Sequence, residues 1–444
     1  MSKFKINNLK YTSSLTLSLI GSEAFKLGSS IFIFKFTGNL WLVTFLYLLL
    51  QLPSVLVYLF SSKIVKKVKS DKLILLICDL LSFAILIPPL ITFIILNKDD
   101  SNNDLKTTLS IILITFSTLL GFIHSFRFIF LKNIIYFIAD NNDQMQKFNA
   151  TNSLATSLGF IASTILSFFL FKNLSFYWLI TMNMITYLVS GILYYSLKVN
   201  KEATVFSAPT STGDVENKQD KSNLAKSWMF ILSGSLLIGI FLFPNTSGLS
   251  QYFNSFGNSE YKIDNWGFYF SIIFATFSLI GVVIVYFFQS KIKKSKPLFI
   301  AIIAVLGTLN FVWLFFINSE AKVNLISYVS IIALQQFTYS LFISIYYSTS
   351  YELFSKSHFH KQNGIAIVFR ILLSSMISVL FTLISTKAGY LYTYLFYSLI
   401  VFICATGILV SSLTYKKEKT KYKASIISIW QIFLILKDSM WTVF

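Results

Sequence analysis

Few charges interrupt the long apolar stretches of this 444-residue chain, and those few are the groups that could do chemistry. Glu23 and Lys26 stand three residues apart, so on a helix they share one face a turn apart. A carboxylate placed there can take up a proton or a cationic ligand, with the ammonium favouring its ionised form and desolvation opposing it; alternatively the two charges simply neutralise each other. Asp79 is either a functional acid or a partner for Arg127, His124 or a nearby basic segment. His124 is a proton relay or a hydrogen-bonded packing residue. Arg127 and Arg370 are the only arginines beside 35 lysines. A guanidinium forks onto carboxylates or phosphates in a way an ammonium does not. Arg370 therefore reads as an ion-pair partner of Glu23 or Asp79, or as an anion binder. Gln335, Gln336, Tyr339, Asn183 and Asn310 add uncharged polar groups, suited to a pocket for a bulky amphipathic molecule or to hydrogen bonds between neighbouring helices.

What must position these residues follows from composition. The chain is 55% hydrophobic and 12% charged, against about 25% charged in soluble domains. So few charges cannot cover a soluble surface of this size, which excludes a disordered chain and a secreted enzyme. About 20 apolar residues cross a bilayer as a helix, and twelve such runs are present. They are Thr12–Phe34, Leu40–Phe60, Leu73–Leu96, Thr107–Leu131, Phe148–Leu170, Phe176–Leu197, Ser227–Leu249, Trp266–Phe288, Pro297–Ile317, Val323–Tyr346, Gly364–Ile384 and Tyr390–Leu413. The expected fold is an all-α polytopic membrane protein of twelve transmembrane helices in two six-helix halves. A charge at a bilayer centre costs ~2.5–3.5 kcal/mol on insertion scales, so each retained charge is a functional candidate.

Orientation comes from Lys and Arg. With the N-terminus inside, inner segments hold 27 of them and outer segments 7, which predicts cytoplasmic termini. The net charge of +19 then belongs to topology and to an anionic inner leaflet, with no need for nucleic acid. The sequence divides into an N-terminal half, 1–198, a polar cytoplasmic linker, 199–226, a C-terminal half, 227–414, and a basic tail, 415–444. Within the tail, Ile426–Leu436 is too short to span and reads as an interfacial helix. Each half carries a basic loop after its second span, Ser62–Lys67 and Ser290–Lys294, which implies two related halves.

No phosphate-binding glycine loop, His-Glu-x-x-His, Cys-x-x-Cys or Gly-x-Ser-x-Gly occurs, so no enzyme activity, cofactor or metal is expected. His358 and His360 read as a solvated loop pair. Cys78 and Cys404 lie in apolar runs, where no bridge is needed.

Six plus six spans, a polar central segment and matched basic loops resemble the major facilitator superfamily. Ser18–Ser22, Asp79 in the third span and the stretch Asp140–Leu154 are similar to its drug/macrolide-efflux branch. The sequence also departs from that pattern. The segment Ser61–Lys72 lacks the glycine and acid of the family's cytoplasmic motif, His124 stands where the fourth span usually has arginine, and the fifth span keeps only Gly159 of its Gly-Pro pattern. The resemblance implies a multi-pass secondary transporter of the cell membrane that exports a small amphipathic molecule by alternating access, coupled to protons. The alternatives are a lipid or lysolipid flippase, an importer on the same fold, or a non-transporting immunity or sensor protein.

Overall fold

The computed structural model describes residues 3–96, 103–139, 142–199, 221–242, 266–294, 296–316, 321–353 and 359–414. Among them the regular structure is all helical. The first half comprises α1 (Lys3–Thr37), α2 (Leu40–Gln51), α3 (Ser54–Leu59), α4 (Ser61–Lys67), α5 (Asp71–Ile85), α6 (Ile87–Leu96), α7 (Asn103–Ile138), α8 (Asn142–Asn173) and α9 (Tyr177–Tyr195). The second comprises α10 (Lys221–Leu242), α11 (Trp266–Lys294), α12 (Lys296–Val312) with a 3₁₀ turn at Trp313–Phe316, α13 (Ala321–Leu353), α14 (Phe359–Lys387) and α15 (Tyr390–Thr414). Among the described residues, ten helical segments are long and apolar enough to cross a membrane, and shorter apolar helices at Ala225–Phe241 and Ile272–Phe288 fill the seventh and eighth places. The all-helical fold with twelve membrane helices thus stands.

Two spans are broken where proline demands it. The second span divides into α2 and α3 at Leu52–Pro53, because Pro53 has no N–H to continue the ladder. The third divides into α5 and α6 at Leu86, immediately before Ile87–Pro88–Pro89, where prolines fit a first turn whose donors are already unsatisfied. Several helices outrun the expected spans. Helices α1, α7 and α8 run 35, 36 and 32 residues, about 50 Å each at 1.5 Å per residue, and project beyond a hydrocarbon core of ~30 Å.

Two expectations change with this. The basic segment after the second span contains a helix, α4, rather than a continuous loop. Lys132, one residue beyond the expected fourth span, lies with Arg127 inside the membrane stretch Leu105–Ile135. The reason is visible in packing. Ile129, Phe130, Leu131, Ile134, Ile135 and Ile138 are all buried, so the apolar face continues and carries the helix past both cations. The linker residues 200–220, the Pro244–Gly248 run, His358 and the tail 415–444 lie outside the described residues.

Packing repeats along the chain. Helix α1 lies against α8 and α9, α5 against α7 and α9, and α2 against α7; in the second half α10 lies against α14 and α15, α12 against α13 and α15, and α11 against α13. The two halves meet where α8 packs on α11 and where α14 packs on α2, α3 and α4. Thr44 and Thr382 share a hydroxyl contact of 2.6 Å across the second seam, and the Phe168 and Tyr269 rings sit 5.5 Å apart across the first. Large apolar side chains such as Phe287, Phe315, Met376 and Ile192 point outward. A belt of this kind is what lipid solvates and water does not.

Candidate transport cavity and its polar network

Helix α1 brings the first candidates together. Lys26 Nζ lies 2.8 Å from Glu23 Oε2, with both side chains half-buried. The ammonium also sits 5.9 Å from the centroid of the Tyr47 ring on α2, within cation–π range. Just before Glu23, Gly21 lets α1 approach α9: a Cβ at Gly21 would collide with the Thr186 hydroxyl and lie 2.8 Å from Asn183 Oδ1. Asn183 is fully buried.

A second group ties α5, α7 and α9. Arg127 Nε lies 2.7 Å from Asp79 Oδ1, both side chains being almost wholly buried. The other carboxylate oxygen accepts a 2.7 Å hydrogen bond from Ser190 Oγ. The guanidinium carbon sits 5.3 Å from the Tyr194 ring centroid. One turn along α7, His124 Nε2 is 2.7 Å from the Tyr187 hydroxyl. Gly191 admits this arrangement, since a Cβ there would stand 3.1 Å from the Asp79 Cβ. Near the end of the bundle where α1 begins, Asn133 Nδ2 donates to Asp71 Oδ2 at 2.6 Å, a further tie between α5 and α7. Asp79 and Arg127 are therefore partners inside one half, and each neutralises a charge that would be expensive to bury alone.

In the second half the Tyr339 ring stacks on Phe241 of α10, with centroids 4.3 Å apart and planes within 4°. Gln335, one turn away on α13, is fully buried. The backbone carbonyl of its neighbour Gln336 accepts from Ser340 Oγ at 2.9 Å. Asn310 lies apart from these, on α12, where its carbonyl accepts from the Tyr394 hydroxyl at 3.0 Å. Arg370, half-buried on α14, packs its stem against α10: a Cβ at Gly239 would lie 2.8 Å from Arg370 Cγ. Neither Glu23 nor Asp79 pairs with Arg370, because Lys26 and Arg127 hold them.

Sequence reading missed Tyr47, Tyr187 and Ser190, which line the charged groups, and Lys132, which it assigned to a connection. Tyr187 and Ser190 carried a weak signal: they continue the helical face of Asn183 at four- and three-residue steps. Among the described residues no group of His, Cys, Asp and Glu is arranged to hold a metal ion.

Comparison with known proteins agrees with this architecture. Among solved structures the chain is similar to a bacterial homologue of the iron transporter ferroportin in an outward-facing state with soaked iron, at 14% identity and a TM-score of 0.66, covering 91% of this chain and 99% of that one. It is also similar to a D-xylose–proton symporter, at 12% identity and a TM-score of 0.70, covering 90% and 96%, and to a mutant form of the nucleoside transporter NupG, at 12% identity and a TM-score of 0.62, covering 91% and 99%. At such identities the likeness speaks for the fold. No curated protein sequence matches the chain. The Major Facilitator Superfamily model matches residues 13–378; with that span covering most of its length, the chain belongs to the Major Facilitator Superfamily of membrane transporters.

Proposed function

We propose that this protein is a proton-coupled secondary transporter that exports a small amphipathic molecule across the cell membrane, with both termini and the central linker in the cytoplasm. The observation that carries the reading is the Glu23–Lys26 pair, 2.8 Å apart and half-buried on the first span. Of the two ion pairs among the described residues, Asp79–Arg127 is sealed inside one half and Glu23–Lys26 is the accessible one. Protonation of Glu23 changes the local charge by one unit and leaves Lys26 uncompensated. A group whose charge changes in a partly dry site biases one conformation of a two-state carrier over the other. The two seams between the halves, α8 on α11 and α14 on α2–α4, are the surfaces on which such rocking would occur. Export and the amphipathic substrate rest on the likeness of Ser18–Ser22 in the first span, Asp79 in the third and the stretch Asp140–Leu154 to the drug/macrolide-efflux branch. The abundance of aromatic side chains is compatible with such a substrate and does not select it.

The test is made in phosphatidylcholine vesicles loaded with a pH dye and given a proton gradient. Three amphiphiles are added in turn: ethidium, dodecyl phosphate and lysophosphatidylcholine. Dissipation of the gradient by at least one of them, dependent on the protein, is the expected result. Failure of all three would favour a non-transporting role.

A further inference from the structure

Two cations face the seam between the halves with no acid among the described residues paired to them. Lys132 lies near the end of α7 at which α1 begins, as the 3.2 Å hydrogen bond from the Tyr11 hydroxyl to the Leu131 carbonyl shows. Its ammonium stands 4.7 Å from the Phe128 ring and 5.6 Å from the Tyr347 ring of α13, so it reaches from the first half to the second. Ile367 and Ile371, on either side of Arg370 in α14, pack in one cluster with Tyr58, Ile129 and Leu131, and Phe128 packs against that cluster, so Arg370 is carried on the stretch of α14 that meets the Lys132 end of α7. Tyr58 in turn packs edge-on against Phe128 at 6.3 Å. Both cations are half-buried, not sealed, and the salt bridges among the described residues are Glu23–Lys26 and Asp79–Arg127 alone.

Topology cannot account for the arrangement. A lysine near a helix end can snorkel to the interface, but an arginine eleven residues into α14, with its stem against α10, gains nothing from orientation signals. Two cations set on the same seam in a medium of low dielectric repel more strongly than in water. Aromatic faces offset part of this, and an anion would offset the rest. The guanidinium supplies a planar fork and the ammonium a mobile point charge, a combination suited to phosphate or carboxylate oxygens. Phe128, Tyr58 and Tyr347 supply an apolar wall beside them.

We infer that Lys132 and Arg370 form a binding site, between the halves, for the anionic head group of an amphiphile, with Phe128, Tyr58 and Tyr347 receiving the adjoining apolar part. That this amphiphile is the transported substrate rests on the function proposed above; the binding site itself does not. Its position at the end proposed to be cytoplasmic suits loading from inside.

The test is calorimetric titration of the full chain in phosphatidylcholine nanodiscs with three probes: dodecyl phosphate, inorganic phosphate and dodecyltrimethylammonium. Dodecyl phosphate is expected to bind at least tenfold more tightly than either other probe. Lys132→Gln and Arg370→Gln should each weaken it tenfold or more, Lys132→Arg should retain most of the affinity, and Lys387→Gln, at the exposed far end of α14, should leave it unchanged. Without ligand, neither glutamine variant should lower the melting temperature, because each relieves a repulsion; a marked drop would show a structural pairing and overturn the inference. Equal binding of inorganic and dodecyl phosphate would overturn the amphiphile, and equal binding of the cationic probe would overturn the anion site. Because the titration needs no gradient, tight anion binding beside failed vesicle transport would leave the site standing and refute the transport reading.

Discussion

Arg127 Nε and Asp79 Oδ1 are 2.7 Å apart, and the two residues come from different helices, α7 and α5. The pair therefore fixes the third span to the fourth within one half. Removing either partner strands the other, and a stranded buried charge costs about 3–5 kcal/mol. Asp79→Asn and Arg127→Gln should each lower the melting temperature in neutral detergent sharply, and the double variant should be more stable than either single one. Additive losses in the double variant would contradict the pairing.

Thr44 and Thr382 offer a lock. Their hydroxyls meet at 2.6 Å across the seam between α2 and α14, a geometry in which two cysteines would fall within bridging range. Oxidised Thr44→Cys/Thr382→Cys protein should stop transport and recover with reductant. Full activity of the oxidised, gel-verified crosslink would show that this seam does not move.

Gly121 marks the closest approach of α7 to the broken second span. A Cβ there would overlap the Leu50 carbonyl and stand 2.8 Å from its carbon. Backbone cannot rotate away as a side chain can, so Gly121→Ala should reduce the yield of folded protein severely, measured as the monodisperse fraction after extraction. Trimming the neighbour with Leu50→Ala should not rescue it. Rescue would mean that a side chain, and not the main chain, sets the contact.

Topology is open to labelling. Both native cysteines, Cys78 and Cys404, are buried, so the background is low. A cysteine introduced at Ser211 in the linker should react with membrane-impermeant maleimide only after the cells are opened, as the 27-to-7 distribution of Lys and Arg requires. Labelling of intact cells would reverse the assigned orientation.

Hydropathy made the membrane class and the twelve helices legible, because apolar runs of sufficient length have few other uses. The breaks at Pro53 and Leu86 were present in the sequence as prolines, yet a proline alone does not say whether a span kinks or divides. Helix ends were harder. Lys132, one residue past the expected fourth span, looks like the start of a loop when charge is weighed alone, and only its tertiary partners, the Phe128 and Tyr347 rings, show why α7 continues through it. Glu23 and Lys26 paired as their spacing suggested, since a three-residue step on a helix fixes proximity without any tertiary contact. Arg370 could not be assigned from sequence because its helix packs on separate elements from both halves, α2, α3 and α4 from the first and α10 from the second.

The central claim, that Glu23 couples protons to transport, is tested most directly by comparing Glu23→Gln with Glu23→Gln/Lys26→Met in dye-loaded vesicles. The amphiphile used is whichever one dissipates the gradient with the wild-type protein, and melting temperatures are recorded alongside. Glu23→Gln should abolish dissipation, and the double variant should regain any stability lost by stranding Lys26 while remaining inactive. Recovery of proton-coupled transport in the double variant would contradict the claim and leave Glu23 as no more than the partner of Lys26.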